Sequence, residues 1–308
     1  MKIVFMGTPD FAAGILEAIL KAGYEVSGVV TQPDKAKGRK KEPVPCPVKE
    51  TALKAGLRIF QPVRARAPEA IAEIADMNAD LIVVAAFGQI LPKELLDLPR
   101  LGCINVHASV LPAYRGAAPI QQCILDGCKE TGVTIMQMDE GLDTGDIISV
   151  RKIPIEDTDT GGSLFDKLAV LGAELLTDTL PSILDGTAVR IPQPEQSPTP
   201  YCRMIKKDAG RIDWSDDAGA IERRIRAFAP WPSAFTHLDG KTFKIWSADI
   251  ESENAGIEPG GFIIDGGKMR IQTGKGQIVP REVQIEGKRR MAIDDFLRGY
   301  KFRDTHFT

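Results

Sequence analysis

Across the first 150 residues, short apolar runs recur with stretches of helical spacing between them, and this alternation limits the fold more than any single motif. The runs are residues 3–6, 25–30, 58–60, 81–87, 103–106, 133–138 and 147–150. Several, such as Leu81-Ile82-Val83-Val84, are continuously apolar rather than alternating, the pattern of a strand covered on both faces. Residues 10–22, 47–55, 68–77, 92–97 and 117–126 read as helices between them. Strand and helix in alternation predict an α/β fold built on a doubly wound, mostly parallel sheet. Sheets of that kind bind ligands beyond the carboxyl ends of their strands.

Past residue 150 the texture changes. Residues 162–184 read as a long helix, and 187–200 carry Pro192, Pro194, Pro198 and Pro200, a semi-extended linker. A helix is expected at 216–227, then strands at 234–238, 241–250, 260–265, 268–273 and 277–285, and a short helix at 292–298. Asp265-Gly266-Gly267 and Gly274-Lys275-Gly276 supply hairpin turns. The expected organisation is a catalytic domain over 1–187, a Pro-rich linker over 188–203, and a C-terminal OB-like antiparallel β-barrel over 204–308. Charge divides the same way. Residues 1–200 hold 20 Lys and Arg against 26 Asp and Glu, whereas 201–308 hold 19 against 16, which points to an anionic partner at the second domain.

Other classes are disfavoured. The longest strongly apolar run, 81–87, is far too short to span a bilayer, and Met1-Lys2-Ile3 leads into a strand rather than a signal peptide. Five scattered cysteines without a CxxC pair favour neither a disulfide framework nor a zinc site. The expectation is a cytoplasmic, monomeric protein that uses no metal and no membrane. The dinucleotide fingerprint GxGxxG is missing from the first turn, Gly7-Thr8-Pro9-Asp10, which argues against NAD. That turn reads either as a helix start capped by Thr8 or as backbone amides facing a ligand.

Chemistry concentrates in residues 102–146. Asn105 and His107 stand two apart on one strand face, and Asp143 lies in a Gly-flanked turn after the next apolar run. An amide donor, an imidazole and a carboxylate at strand ends suffice to move an acyl group, because the donors hold an oxyanion and the carboxylate takes or orients a proton. The other two histidines, His237 and His306, have no polar companion at useful spacing. A basic stretch, residues 34–43, follows the second strand on the same edge of the sheet and suits phosphate.

The run Asn105-Val106-His107-Ala108-Ser109-Val110-Leu111-Pro112 resembles the Asn-x-His-x-Ser-x-Leu-Pro signature of 10-formyltetrahydrofolate-dependent formyltransferases, whose catalytic aspartate matches Asp143 in Gly-Leu-Asp-Thr-Gly-Asp. The likeness extends to residues 7–13, 31–34 and 132–139, and in the second half to 211–214, 225–228 and 230–232. It is greatest to those members of the family that act on methionyl initiator tRNA.

That resemblance implies transfer of the formyl group of 10-formyltetrahydrofolate to the α-amino group of tRNA-bound methionine, a step of translation initiation. It implies that Asn105 and His107 donate to the oxyanion while Asp143 orients His107 and relays a proton. Ser109, Val110, Leu111 and Pro112 match the folate-contacting loop, with Phe87, Gly88, Ile90, Leu91 and Asp139 near the pterin. Lys35, Lys37, Arg39, Lys40 and Lys41 correspond to an insertion that reaches the acceptor stem, with Arg39 reading the unpaired end. Lys206 and Lys207, with Arg203, Lys288, Arg289 and Arg290, would attract the RNA backbone. The rival readings are a formyl-folate-dependent enzyme acting on an amino-sugar nucleotide, a hydrolase of formyl-folate, and a binding module with no activity.

Overall fold

The computed structural model describes residues 1–37 and 42–308 of the chain. Its division into two units cuts across the sequence. The first unit holds Met1–Pro119, Glu130–Pro154 and Phe165–Arg203, and the second holds Ile120–Lys129, Ile155–Leu164 and Met204–Thr308.

The first nine strands are β1 (Lys2–Gly7), β2 (Glu25–Val30), β3 (Lys35–Lys37), β4 (Glu42–Val44), β5 (Ile59–Phe60), β6 (Leu81–Ala85), β7 (Cys103–His107), β8 (Glu130–Gln137) and β9 (Ile147–Pro154). Among them run helices α1 (Asp10–Lys21), α2 (Pro47–Lys54), α3 (Pro68–Ala75), α4 (Lys93–Leu96) and α5 (Pro119–Leu125), and α6 (Gly161–Asp185) follows β9. Seven strands make one sheet in the order β5-β2-β1-β6-β7-β8-β9, while β3 and β4 pair with each other. The five strands β5, β2, β1, β6 and β7 run parallel, and β8 and β9 are antiparallel additions. This is the mostly parallel, doubly wound sheet that the alternation predicts.

Burial follows the pattern of the apolar runs. Every residue of β6 is buried, as a central strand covered on both faces requires, whereas the edge strand β9 buries none and carries Arg151 and Lys152. Helix α1 turns Phe11, Ala12, Ile15, Leu16 and Ile19 inward at helical spacing. Its N-cap is Pro9, not Thr8. The Thr8 hydroxyl instead lies 3.4 Å from the Phe87 carbonyl and 3.4 Å from the Gln32 amide, tying the ends of β1, β2 and β6 together.

In the second unit a 3-10 turn (Lys207–Gly210) leads to α7 (Ala218–Ala227), which the Asp217 carboxylate caps by accepting from Ala220 N at 2.9 Å. Strands β10 (Ala234–Leu238), β11 (Lys241–Glu251), β12 (Phe262–Asp265), β13 (Lys268–Gln272), β14 (Gln277–Ile285) and β15 (Met291–Ala292) precede α8 (Ile293–Gly299). They form an antiparallel sheet in the order β10-β11-β14-β13-β12, with β15 on β14. Gly266 and Gly267 join β12 to β13 with φ of 56° and 78°, a two-residue turn that a side chain would strain at both positions. Residues 305–308 pair with both outer strands: Thr308 exchanges two bonds with His237 of β10, and Thr305 O accepts from Phe262 N of β12 at 3.0 Å. The expected OB-like barrel is present as an antiparallel sheet, both of whose outer strands bond residues 305–308.

Residues 188–203, expected as a linker, pack with the first unit. Ile191 pairs with Ile147, Tyr114 N donates to Thr199 Oγ1 at 2.7 Å, and Cys202 pairs with Gly116. Conversely, residues 120–129 and 155–164 belong with the second unit because arginines of α7 hold their backbones. Arg223 donates to Leu125 O at 3.0 Å and Arg226 to Asp159 O at 2.9 Å. No sequence period marks either exchange.

The second unit packs around aromatic rings. Phe243 is fully buried, with ring centroids of Phe296 and Phe307 each 5.1 Å away. Phe243→Ala is expected to cost about 3–5 kcal/mol of that unit's stability, read from denaturant unfolding, because rigid neighbouring rings cannot close the cavity.

Candidate active site

Strand β7 runs between β6 and β8, and Asn105 and His107 leave it two residues apart. The loop 108–116 then folds back over the strand end. Thr134, fully buried on β8 opposite His107, locks that loop by donating to Ser109 O at 2.7 Å and accepting from Leu111 N at 3.1 Å. Ser109 Oγ donates to Ala113 O at 2.7 Å. The turn brings the Tyr114 carbonyl to 3.1 Å from His107 Nε2. A carbonyl only accepts, so Nε2 carries the proton of that bond. The lone pair of the neutral ring is then on Nδ1, and Nδ1 lies 3.8 Å from Asp143 Oδ1. A further proton taken up by the ring enters between imidazole and carboxylate.

Asp143 reaches this point from a separate loop, at a φ of 57° that a non-glycine residue rarely adopts. Its Oδ2 accepts from the Gly116 amide at 2.9 Å, and its Oδ1 lies 3.5 Å from Asn105 Nδ2. The carboxylate is one-fifth exposed and His107 less than one-tenth, so the cluster opens to solvent on the Asp143 side. Asp139 shapes the approach by accepting from Gly141 N at 3.0 Å and Thr144 Oγ1 at 2.8 Å. Gly145 then passes so close to β8 that a Cβ there would stand 1.8 Å from the Gln137 carbonyl oxygen. The three residues singled out from sequence thus meet.

Four further groups belong to this cluster: the Gly116 amide and Arg115, which fall within the signature-like stretch 105–119, and Gln193 and Tyr201, which carry no sequence motif. Gln193 Nε2 donates to Asp143 O at 3.1 Å and Gly145 O at 2.7 Å. The Tyr201 phenol is pushed above its ordinary value by burial first and then by the charge of Asp143. The only trace of Gln193 and Tyr201 in the sequence is that they are polar residues in and beside a Pro-rich stretch. Cys103, on the same strand as His107, is no nucleophile. Burial pushes its thiol up to about 12, and the sulfur lies 3.7 Å from Leu95 O.

The remaining expected residues are scattered in kind. Phe87 and Leu91 lie in a packed core with Leu95, Leu96 and Cys103, and Ser109 and Leu111 are also buried, whereas Gly88 and Ile90 are exposed. Val110 and Pro112 are half-buried on the 108–116 loop. Asp139 lines a cavity of about 810 Å³ with Leu96, Gln137, Met138 and Glu140, and Gln137 Oε1 is a buried acceptor with no partner among the described residues. Lys35 is exposed at the start of β3 and Lys37 ends that strand, while Arg39, Lys40 and Lys41 lie outside the described residues. Lys206 and Lys207 are exposed at the 3-10 turn of the second unit. His237 is taken up by strand pairing with Thr308, and His306 Nε2 meets Pro259 O at 2.9 Å.

Residues 1–180 match the family described as formyl transferase, and residues 204–301 match the formyl transferase C-terminal domain. The chain is 53% identical to the methionyl-tRNA formyltransferase of Agathobacter rectalis, over 100% of this chain and 99% of the relative. It is 50% identical to that of Lachnospira eligens, over 97% and 96%. Among solved structures, an N-formyltransferase from Helicobacter canadensis, in complex with folinic acid and dTDP-3-aminofucose, shares the fold. It aligns with a TM-score of 0.66 at 20% identity, covering 91% of this chain and 98% of that one. HypX from Aquifex aeolicus in complex with tetrahydrofolic acid aligns with a TM-score of 0.65 at 19% identity, over 96% of this chain and 47% of that one. With both of its domains matched and near-identical length in relatives at half identity, the chain belongs to the formyl transferase family.

Proposed function

We propose that this chain transfers the formyl group of 10-formyltetrahydrofolate to the α-amino group of methionine carried by initiator tRNA. The observation that carries the reading is the meeting of the Asn105 amide, His107 Nδ1 and the Asp143 carboxylate at one point of the first unit. The folate supplies a formyl group bound at N10. When the methionyl amine attacks that carbon, negative charge develops on the formyl oxygen, and Asn105 Nδ2 and His107 Nδ1 donate to it. Donors fixed before the reaction lower its barrier because nothing has to reorganise as charge appears. His107 can donate there only from Nδ1, since Nε2–H is held by Tyr114 O. The proton it donates is therefore the second one on the ring, and Asp143 stabilises the imidazolium that carries it.

Asp143 also accepts the proton lost by the amine, and the Asp143–His107 pair returns one to N10 as the carbon–N10 bond breaks. An α-amino group titrates near 7.7–8.0, so a useful share of the acceptor is already neutral at about pH 7 and a strong base is unnecessary. The cavity beside Asp139, walled by Leu96 and Met138 together with polar Glu140, Thr144 and Arg190, is the space on this loop that the folate would take. The loop 109–112 leads from the strand end that carries His107 and would face the rest of the folate.

For the tRNA, exposed Lys206 and Lys207 supply charge on the second unit. Trp246 adds an aromatic face flanked by Arg290 at 5.1 Å and Lys244 at 5.6 Å. Lys35 adds exposed charge on the first unit, and Lys37, Arg39, Lys40 and Lys41 would supply the contacts to the acceptor end that the family's insertion makes. Such an enzyme acts in the cytoplasm, and one chain supplies all of the groups named.

Three measurements test the reading. Asn105→Ala and Asp143→Asn are each expected to lower kcat by about 10²–10³-fold while the protein stays folded. Offered charged initiator tRNA and an amino-sugar nucleotide in parallel, the protein should formylate only the tRNA, and formylation of the sugar alone would reverse the assignment. Lys206→Gln with Lys207→Gln should raise KM for the tRNA and flatten its salt dependence, leaving KM for formyl-folate unchanged.

A further inference from the structure

We infer that Gln193, held by Arg115, is a positioning residue for Asp143, and that this side-chain pair fixes where the reacting carboxylate stands. The inference rests on the reading that Asp143 carries a proton in the reaction. Gln193 spans the turn that bears Asp143, donating to carbonyls on both sides of it, Asp143 O at 3.1 Å and Gly145 O at 2.7 Å. Its Oε1 accepts from Arg115 Nε at 3.1 Å and Nη2 at 2.9 Å. This arrangement leaves the amide one orientation. Reversed, it would set its NH2 against guanidinium donors and its oxygen against two carbonyl oxygens.

Arg115 is itself fixed. It is buried, and its guanidinium also donates to Glu195 O at 3.1 Å and Pro194 O at 2.8 Å, so the strap that carries Gln193 is fastened through the residues that follow it as well. The next residue along from Arg115, Gly116, holds Asp143 Oδ2 at 2.9 Å. One dipeptide therefore grips Asp143 twice, directly at the carboxylate and indirectly at the backbone. The backbone needs that grip, because Asp143 sits at a φ of 57° and a relaxed turn would swing the carboxylate away from His107. Gln193 touches no reacting atom. Its effect on rate passes through geometry, and displacements of about an ångström at a reacting group can cost about a hundredfold.

Gln193→Glu separates the brace from packing, since a glutamate still accepts from Arg115 but no longer donates to the two carbonyls. Steady-state kinetics with formyl-folate and charged initiator tRNA should show kcat reduced about ten- to a hundredfold. KM for both substrates should stay near wild type, and the thermal midpoint should fall modestly, because the second glutamate oxygen faces two carbonyl oxygens. Placed on Asp143→Asn, the same substitution should add no further loss, because the group it positions is already disabled. Gln193→Ala repeats the measurement should the glutamate variant fold poorly. Wild-type kcat in both Gln193 variants would overturn the brace, as would an equal fold-loss whether Gln193 is replaced in the wild-type enzyme or on top of Asp143→Asn. A wild-type rate for Asp143→Asn alone would remove the catalytic reading, and the brace with it, so the two failures are told apart by the single variants.

Discussion

A carboxylate that must exchange a proton needs one oxygen tied down and the other left open. Asp143 meets that requirement through the Gly116 amide, which holds Oδ2 at 2.9 Å while Oδ1 faces Asn105 and His107. Its left-handed backbone carries strain of about 1–3 kcal/mol. A hydrogen bond to a charged group contributes about 1.5–3 kcal/mol and a neutral one about 0.5–1.5 kcal/mol. The Gly116 bond to the carboxylate and the two bonds from Gln193 to the flanking carbonyls all act against that strain. Three distant stretches of chain, β7 with its 108–116 loop, the 139–146 loop and the 188–203 strap, meet at one carboxylate.

The histidine is oriented by the same economy of contacts. Tyr114 O takes the Nε2 proton, and Tyr114 N donates to Thr199, so the loop that fixes the tautomer of His107 is itself fastened to the strap. With Nε2 committed, every proton that His107 gains or gives passes through Nδ1, the atom that faces Asp143. Acid and base work therefore share one edge of one ring. Neighbouring donors at Asn105 and Gly116 help keep negative charge stable on that edge.

The sheet, and the residues that define its chemistry, are legible in the sequence because both follow from local rules. Apolar runs such as Leu81–Ala85 require cover on both faces, and residues two apart on a strand share a face. Asp143 is legible because turns flanked by glycine place polar side chains at strand ends. What is illegible is tertiary. Four prolines in 187–200 describe an extended segment equally well whether it floats as a linker or, as here, lies bonded against Tyr114, Arg115 and Ile147. The arginines of α7 that claim residues 120–129 and 155–164 for the second unit act on backbone carbonyls, which have no sequence identity. Phe87 and Leu91 show the same limit in the apolar direction, since a core residue and a ligand-facing one have the same composition.

The cluster of amide, imidazole and carboxylate has no means of telling one primary amine from another. In the proposed reaction each group addresses the formyl oxygen or a travelling proton, features common to any amine acceptor, so choice of acceptor would come from surfaces that never touch the reacting carbon. That division explains the charge layout. Residues 1–200 carry six more acids than bases, and 201–308 carry three more bases than acids. An RNA acceptor is repelled on average by the catalytic half and drawn to the other, so its approach depends on the basic second unit and the short basic segment beside β3. A polyanion held that way contributes binding energy remote from the chemistry, where it offsets the entropy of bringing an amine to a fixed carboxylate. A small amine with no such handle would meet the same catalytic groups and gain nothing from them until it had been held in place.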